Sequence, residues 1–184
     1  MMFGILNQLA KGLRRFKRDE SGSATLDFVL MLPGFMLIFT SAYESGVLST
    51  RHVMLERGLD STVREVRIGK IPNPSHDRLV ERICEIASII PDCTANVRLE
   101  MVPRDPRNWQ DPPADVACVD RAEEGDPVLN FNTGLNNELM VLRACALFDP
   151  MIPTTGLGKE IPKESGGAYA LVATSAYVME PFQK

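Results

Sequence analysis

The chain holds two histidines, one tryptophan and four cysteines in 184 residues, and these scarcities exclude a good deal. His52 and His76 stand apart, neither in a nucleophile–base setting, and there is no GxSxG, no HExxH and no P-loop. Gly156-Leu157-Gly158 is a turn, too sparse to cradle a phosphate. An enzyme is therefore not expected, and no catalytic residue and no cofactor is assigned. No C-x-x-C pair occurs and His76 is the only histidine near the cysteines, so no metal site is expected either. Internal repeats and low-complexity tracts are missing. With 45% hydrophobic and 24% charged residues the composition is that of a folded chain, with room for one modest domain plus an appendage.

A basic surplus is missing as well, since the net charge is −4. That total hides an asymmetry. Residues 1–22 carry Lys11, Arg14, Arg15, Lys17 and Arg18 against Asp19 and Glu20, a net of +3, and the remainder carries −7. A body so acidic argues against a nucleic-acid partner. No cysteine precedes residue 84. Between the basic lead-in and the cysteines lies one apolar run, Phe28 to Tyr43, roughly 24 Å of helix at ~1.5 Å per residue. A hydrocarbon core is roughly 30 Å thick, so flanking residues such as Ser23–Leu26 or Val47–Leu48 are needed to complete a span.

Basic residues before a single span place that end in the cytoplasm, and an even number of cysteines beyond it suits disulfides in an oxidising compartment. A cleaved signal peptide is the rival reading, with Thr40-Ser41-Ala42 as its cleavage site. Asp27, early in the apolar run, does not suit that class. A carboxylate there is costly and by default has a function.

From Ser23 the pattern predicts one helix to about Ile68. Leu48, Leu55, Leu59, Val63 and Val66 form its apolar stripe, and Arg51, Glu56, Arg57, Asp60, Arg64 and Glu65 fall on other faces. Pro33 is expected to kink it; Gly69 and Pro72-Asn73-Pro74 end it. Ser75 is a candidate N-cap for a helix from Asp77 to about Ile90. Strands are expected at Ala95–Val102, Leu139–Phe148 and Tyr169–Met179. Pro103–Asn137 reads as a long, acidic surface loop pinned by a crosslink, with Trp109 either a lid over the core or an exposed contact. The predicted fold is α+β: a long N-terminal helix packed on a small antiparallel sheet, with one extra helix.

Four cysteines allow three pairings. Cys84–Cys93 with Cys118–Cys145 is preferred. The first bond folds the end of the second helix against its exit loop, and the second ties the long loop to the central strand.

Gly22-Ser23-Ala24-Thr25-Leu26-Asp27-Phe28 ahead of the apolar run, with Glu44-Ser45-Gly46 after it, resembles the TadE-like minor pilins of the tight-adherence (Flp) pilus system. Ile83-Cys84-Glu85, Pro91-Asp92-Cys93, Cys118-Val119-Asp120-Arg121, Asn137-Glu138-Leu139-Met140, Arg143-Ala144-Cys145 and Ala170–Ala176 extend the likeness over nearly the whole chain. The resemblance implies cleavage by a prepilin peptidase between Gly22 and Ser23. It implies an assembly role for Asp27, Phe28 and Glu44, with Asp27 pairing to the new amine of a neighbouring subunit. The family carries glutamate where this chain has Asp27, which keeps the charge and shortens the reach. An ordinary interfacial cap is the alternative for Asp27, and a mark of the lipid boundary is that for Glu44.

On this resemblance the chain divides into a leader (1–22), removed if processed, a transmembrane helix (23–46) and a stem with a disulfide-bonded periplasmic head (47–184). The expected setting is the bacterial inner membrane, single-pass, with the N-terminus cytoplasmic, or the extracellular pilus. Expected partners are the prepilin peptidase, other TadE/TadF-like pseudopilins, the major Flp pilin, the assembly platform and the lipid bilayer, in the service of surface attachment and biofilm formation. A signal-anchored periplasmic binding or chaperone module that never enters a filament is the alternative.

Overall fold

Helix α1 occupies Ser23–Arg67, 45 residues, and continues through Pro33. The computed structural model describes residues 23–113, 116, 118, 119, 130–154 and 156–180; the leader lies outside them. Among the described residues α1 is the one helix long and apolar enough to cross a membrane. Its C-terminus closes in a Schellman turn. Lys70 N–H bonds the Glu65 carbonyl, Gly69 N–H bonds that of Val66, and Gly69 takes the left-handed conformation (φ 74°) that the turn requires.

The second half of α1 is buried through Leu55, Leu59, Thr62, Val63 and Val66. Gly58 lets the next helix, α2 (His76–Ile86), come close, since a Cβ there would lie 3.0 Å from the Ile83 carbonyl oxygen. Ser75 holds the N-cap position in extended conformation without a side-chain cap bond. The helix stops four residues short of the predicted Ile90. Ala87 leaves helical geometry (ψ 45°), and Ile90 N–H closes a turn on the Ala87 carbonyl, although the Ile90 side chain still reaches the core. Asp92, left-handed at φ 45°, then launches a single turn, α3 (Cys93–Asn96), bonded to α2 through Cys84–Cys93. That turn absorbs Ala95 and Asn96, so strand β1 starts at Val97 and runs to Arg104.

The sheet has the order β1-β2-β3 and is antiparallel throughout, with β2 at Leu139–Phe148 and β3 at Tyr169–Val178. Val97 pairs with Ala146, Leu99 with Ala144, Ala173 with Ala144 and Tyr169 with Phe148. Period-two alternation puts Leu99, Met101, Leu142, Ala144, Phe148, Tyr169 and Tyr177 on the face under α1 and α2. Arg143 lies on the opposite face, ion-paired with Glu100 and donating to the Pro113 carbonyl at 2.5 Å. Beside it Cys145 is bonded to Cys118. Two short elements follow β2, helix α4 (Leu157–Glu160) and a 3-10 turn (Ser165–Gly167). The fold is α+β: a long N-terminal helix on a three-stranded antiparallel sheet, with extra short helices that local pattern did not predict.

Candidate functional site

Helix α1 changes character near Thr40. Leu26, Phe28, Val29, Leu30, Met31, Phe35, Leu37, Ile38 and Phe39 are all half or more exposed among the described residues. Side chains so apolar on every face suit lipid, and one N-terminal helix of this kind fits a single-pass membrane anchor. Phe35 and Phe39 stack at 6.4 Å between centroids. Thr40 folds its hydroxyl back onto the Met36 carbonyl at 2.8 Å, which satisfies it without water.

Asp27 sits on this bare stretch, exposed, with no hydrogen bond or ion pair among the described residues. It falls past the first turn of α1, which holds no acidic residue, so the cap reading gains no contact. Phe28 is beside it and equally bare. Ser23 opens α1, whereas Gly22 lies outside the described residues.

Glu44 is placed differently from what its position after the apolar run suggested. It is only 2% exposed. Oε1 accepts the Met151 N–H at 2.9 Å and Oε2 the Ile152 N–H at 3.3 Å. The carboxylate is thus spent within its own chain, holding the loop after β2 against α1. Arg51, two turns on, was read as lying off the apolar stripe, and it is buried. Its guanidinium lies 4.9 Å over the Phe148 ring and donates to the Tyr169 hydroxyl at 3.3 Å. Burial pushes the Tyr169 phenol up, against the pull of Arg51. Glu44, Leu48, Arg51 and Leu55 share one helical face, and two charges on a stripe that ends in leucines were the available signal.

An open cleft of about 620 Å³ adjoins Arg51, walled by Asp92, Asn96, Phe148 and Asp149. Elsewhere on the stem, His52 bonds the Val172 carbonyl at 3.2 Å, and Arg67 meets Glu180 at 2.8 Å. Glu65 is held down to about 2 by hydrogen bonds first from Arg82 and then from Lys70. Trp109 is half exposed, its indole N–H on Asp111, so it covers no core. His76 packs edge-on to Phe131. Among the described residues no three His, Cys, Asp or Glu side chains converge as metal ligands.

The arrangement offers two surfaces, an exposed apolar helix carrying one carboxylate unpaired among the described residues, and a crosslinked head braced on the same helix. No family model, curated protein or solved structure matches the chain.

Proposed function

We propose that the protein is a TadE-like pseudopilin that takes part in assembling tight-adherence pili, and through them in surface attachment. The observation that carries this reading is Asp27, an unpartnered carboxylate on the bare half of a helix whose other half is the stem of a disulfide-bonded head. In lipid a lone carboxylate costs several kcal/mol, and pairing with a buried amine removes most of that cost. Cleavage after Gly22 creates such an amine at Ser23. Each subunit then offers an amine and a carboxylate to its neighbours, and their pairing sets the register of helix against helix. The basic leader supports an orientation with the N-terminus in the cytoplasm and the head in the periplasm. There the partners are the prepilin peptidase, the major pilin, other pseudopilins and the assembly platform.

The deciding experiment compares the N-terminus and intact mass of the membrane-extracted protein from strains with and without the prepilin peptidase. A peptidase-dependent start at Ser23 is expected. A start at Met1 in both strains overturns the pseudopilin reading and leaves a plain anchor. The cleft beside Arg51 favours the second reading, an anchored binding or chaperone module. That module would keep its leader and would not need Asp27.

A further inference from the structure

We propose that the segments Asp149–Thr154 and Gly156–Glu160 form a collar along one face of α1 that rests in the phospholipid headgroup layer on the head's side of the membrane. This rests on reading α1 as a membrane anchor, and adds a second contact with lipid made by the head itself.

The collar runs down the helix toward the apolar end. At its upper edge Glu44 holds the backbone of Met151 and Ile152. Lower down, Gly156 lies so close to α1 that a Cβ there would stand 2.6 Å from Ser41 Oγ and 3.9 Å from the Leu37 carbonyl oxygen. Gly156 also has φ +58°, a conformation that favours glycine, so both its backbone and its lack of side chain let the loop reach that level. Gly158 is buried against the Ile152 carbonyl, which folds the collar on itself. The head therefore descends to the level of Leu37–Ser41.

That leaves little helix below it. From Ser23 to Leu37 α1 rises about 21 Å at ~1.5 Å per residue. The stretch is bounded on the other side by Asp19 and Glu20 while the leader is attached, and by the new amine of Ser23 once it is removed. A hydrocarbon core of roughly 30 Å exceeds this by about 9 Å. Too short a span is met by thinning of the bilayer or by drawing its flanks inward, and either brings the collar to lipid. The collar's surface has the right chemistry. Met151 is 50% exposed, Ile152 is half-buried, and Lys159 is exposed, its ammonium 3.9 Å from the equally exposed Glu160 carboxylate and free to swing on its long stem toward a headgroup. Tyr43, on the helix at the same level, is exposed as interfacial tyrosines are.

The described residues hold no free cysteine, so single cysteines can carry an environment-sensitive fluorophore in the full-length protein. The sites are Phe35→Cys on the bare helix, Met151→Cys on the collar and Glu81→Cys on exposed α2. The proteins are reconstituted into phosphatidylcholine–phosphatidylglycerol vesicles. They are quenched by iodide, by a headgroup nitroxide lipid and by a mid-chain nitroxide lipid.

The expected result is a blue-shifted Met151 label quenched several-fold more by the headgroup nitroxide than the Glu81 label, with Phe35 quenched mainly from mid-chain. A Met151 label that responds like Glu81 while Phe35 is deep overturns the collar and leaves the anchor standing. A Met151 label shielded from iodide and from both lipids overturns it in favour of a protein contact. A Phe35 label quenched only by iodide overturns the anchor reading itself. Glu44→Ala frees the collar, and with it the headgroup quenching at Met151 should fall.

Discussion

Within α1, Leu30 is 75% exposed while Leu55, further along the same helix, is fully covered. Both halves are helical and rich in leucine, so helix propensity cannot account for the difference. What separates them is what they face. The stem half has one apolar stripe, opposite Leu79, Ile83, Ala173 and Tyr177 of the head. The bare half is apolar all round. A stripe specifies a one-sided protein contact, and a full apolar circumference specifies burial on every side, which fits a membrane anchor. The carboxylates follow the same division, with Glu44 satisfied by backbone amides and Asp27 without a partner among the described residues.

The largest expected effect that could break this comparison comes from one pair of substitutions. Leu59→Ala should cost the head about 2–5 kcal/mol, because it empties a site 1% exposed. Leu30→Arg should leave the head's Tm unchanged and cost about 3 kcal/mol of insertion instead. Calorimetry reads the first effect and retention in carbonate-washed membranes the second; a head melting early in the Leu30 variant would mean that the halves are not independent. Next, replacing Cys118 and Cys145 by alanine should lower the stability of the head by about 3 kcal/mol on the loop-entropy account, without changing membrane retention. Thermal melts with and without reductant check this.

The two carboxylates sharpen the contrast further. Glu44→Ala leaves two backbone N–H groups unpaired and should cost about 1–3 kcal/mol of head stability. Asp27→Asn should leave the melt untouched and reduce piliation. Normal piliation would remove Asp27 from assembly.

The smallest effect is a pH dependence confined to the head. Glu65 is held at about 2, below its ordinary value of 4.5, by Arg82 and then Lys70. Its contribution is present above about pH 4.5 and is lost as pH falls toward about 2. Glu65→Gln should flatten the acid limb of a Tm-against-pH curve, and an unchanged limb would remove the ion pair from the account.

The elements that could be read from sequence are those whose periodicity has a single cause. Leu48, Leu55, Leu59 and Val66 mark the stem because one face of the helix meets the core. The central strand shows continuous apolar residues because it is covered on both faces, with Arg143 allowed by Glu100. The shared face of Leu48, Arg51 and Leu55 signalled that Arg51 turns inward, but neither its partners nor the collar could be read in this way. The partners of Arg51, Phe148 and Tyr169, come from distant strands, and spacing along α1 carries no trace of them. The turn at Cys93–Asn96 rests on a left-handed Asp92, and alternation in the following residues concealed it.

Arg51 touches Tyr169, His52 meets the Val172 carbonyl and Arg67 meets Glu180, so α1 and β3 run side by side in the same direction. These contacts join one of the earliest segments of the chain to one of the latest. The side of the stem's apolar stripe that faces β3 is therefore completed only after more than a hundred further residues have been made, although α2 covers its other side much earlier in the sequence. The core of the head is thus closed by β3, and the stem is fully covered only when that strand has paired with β2.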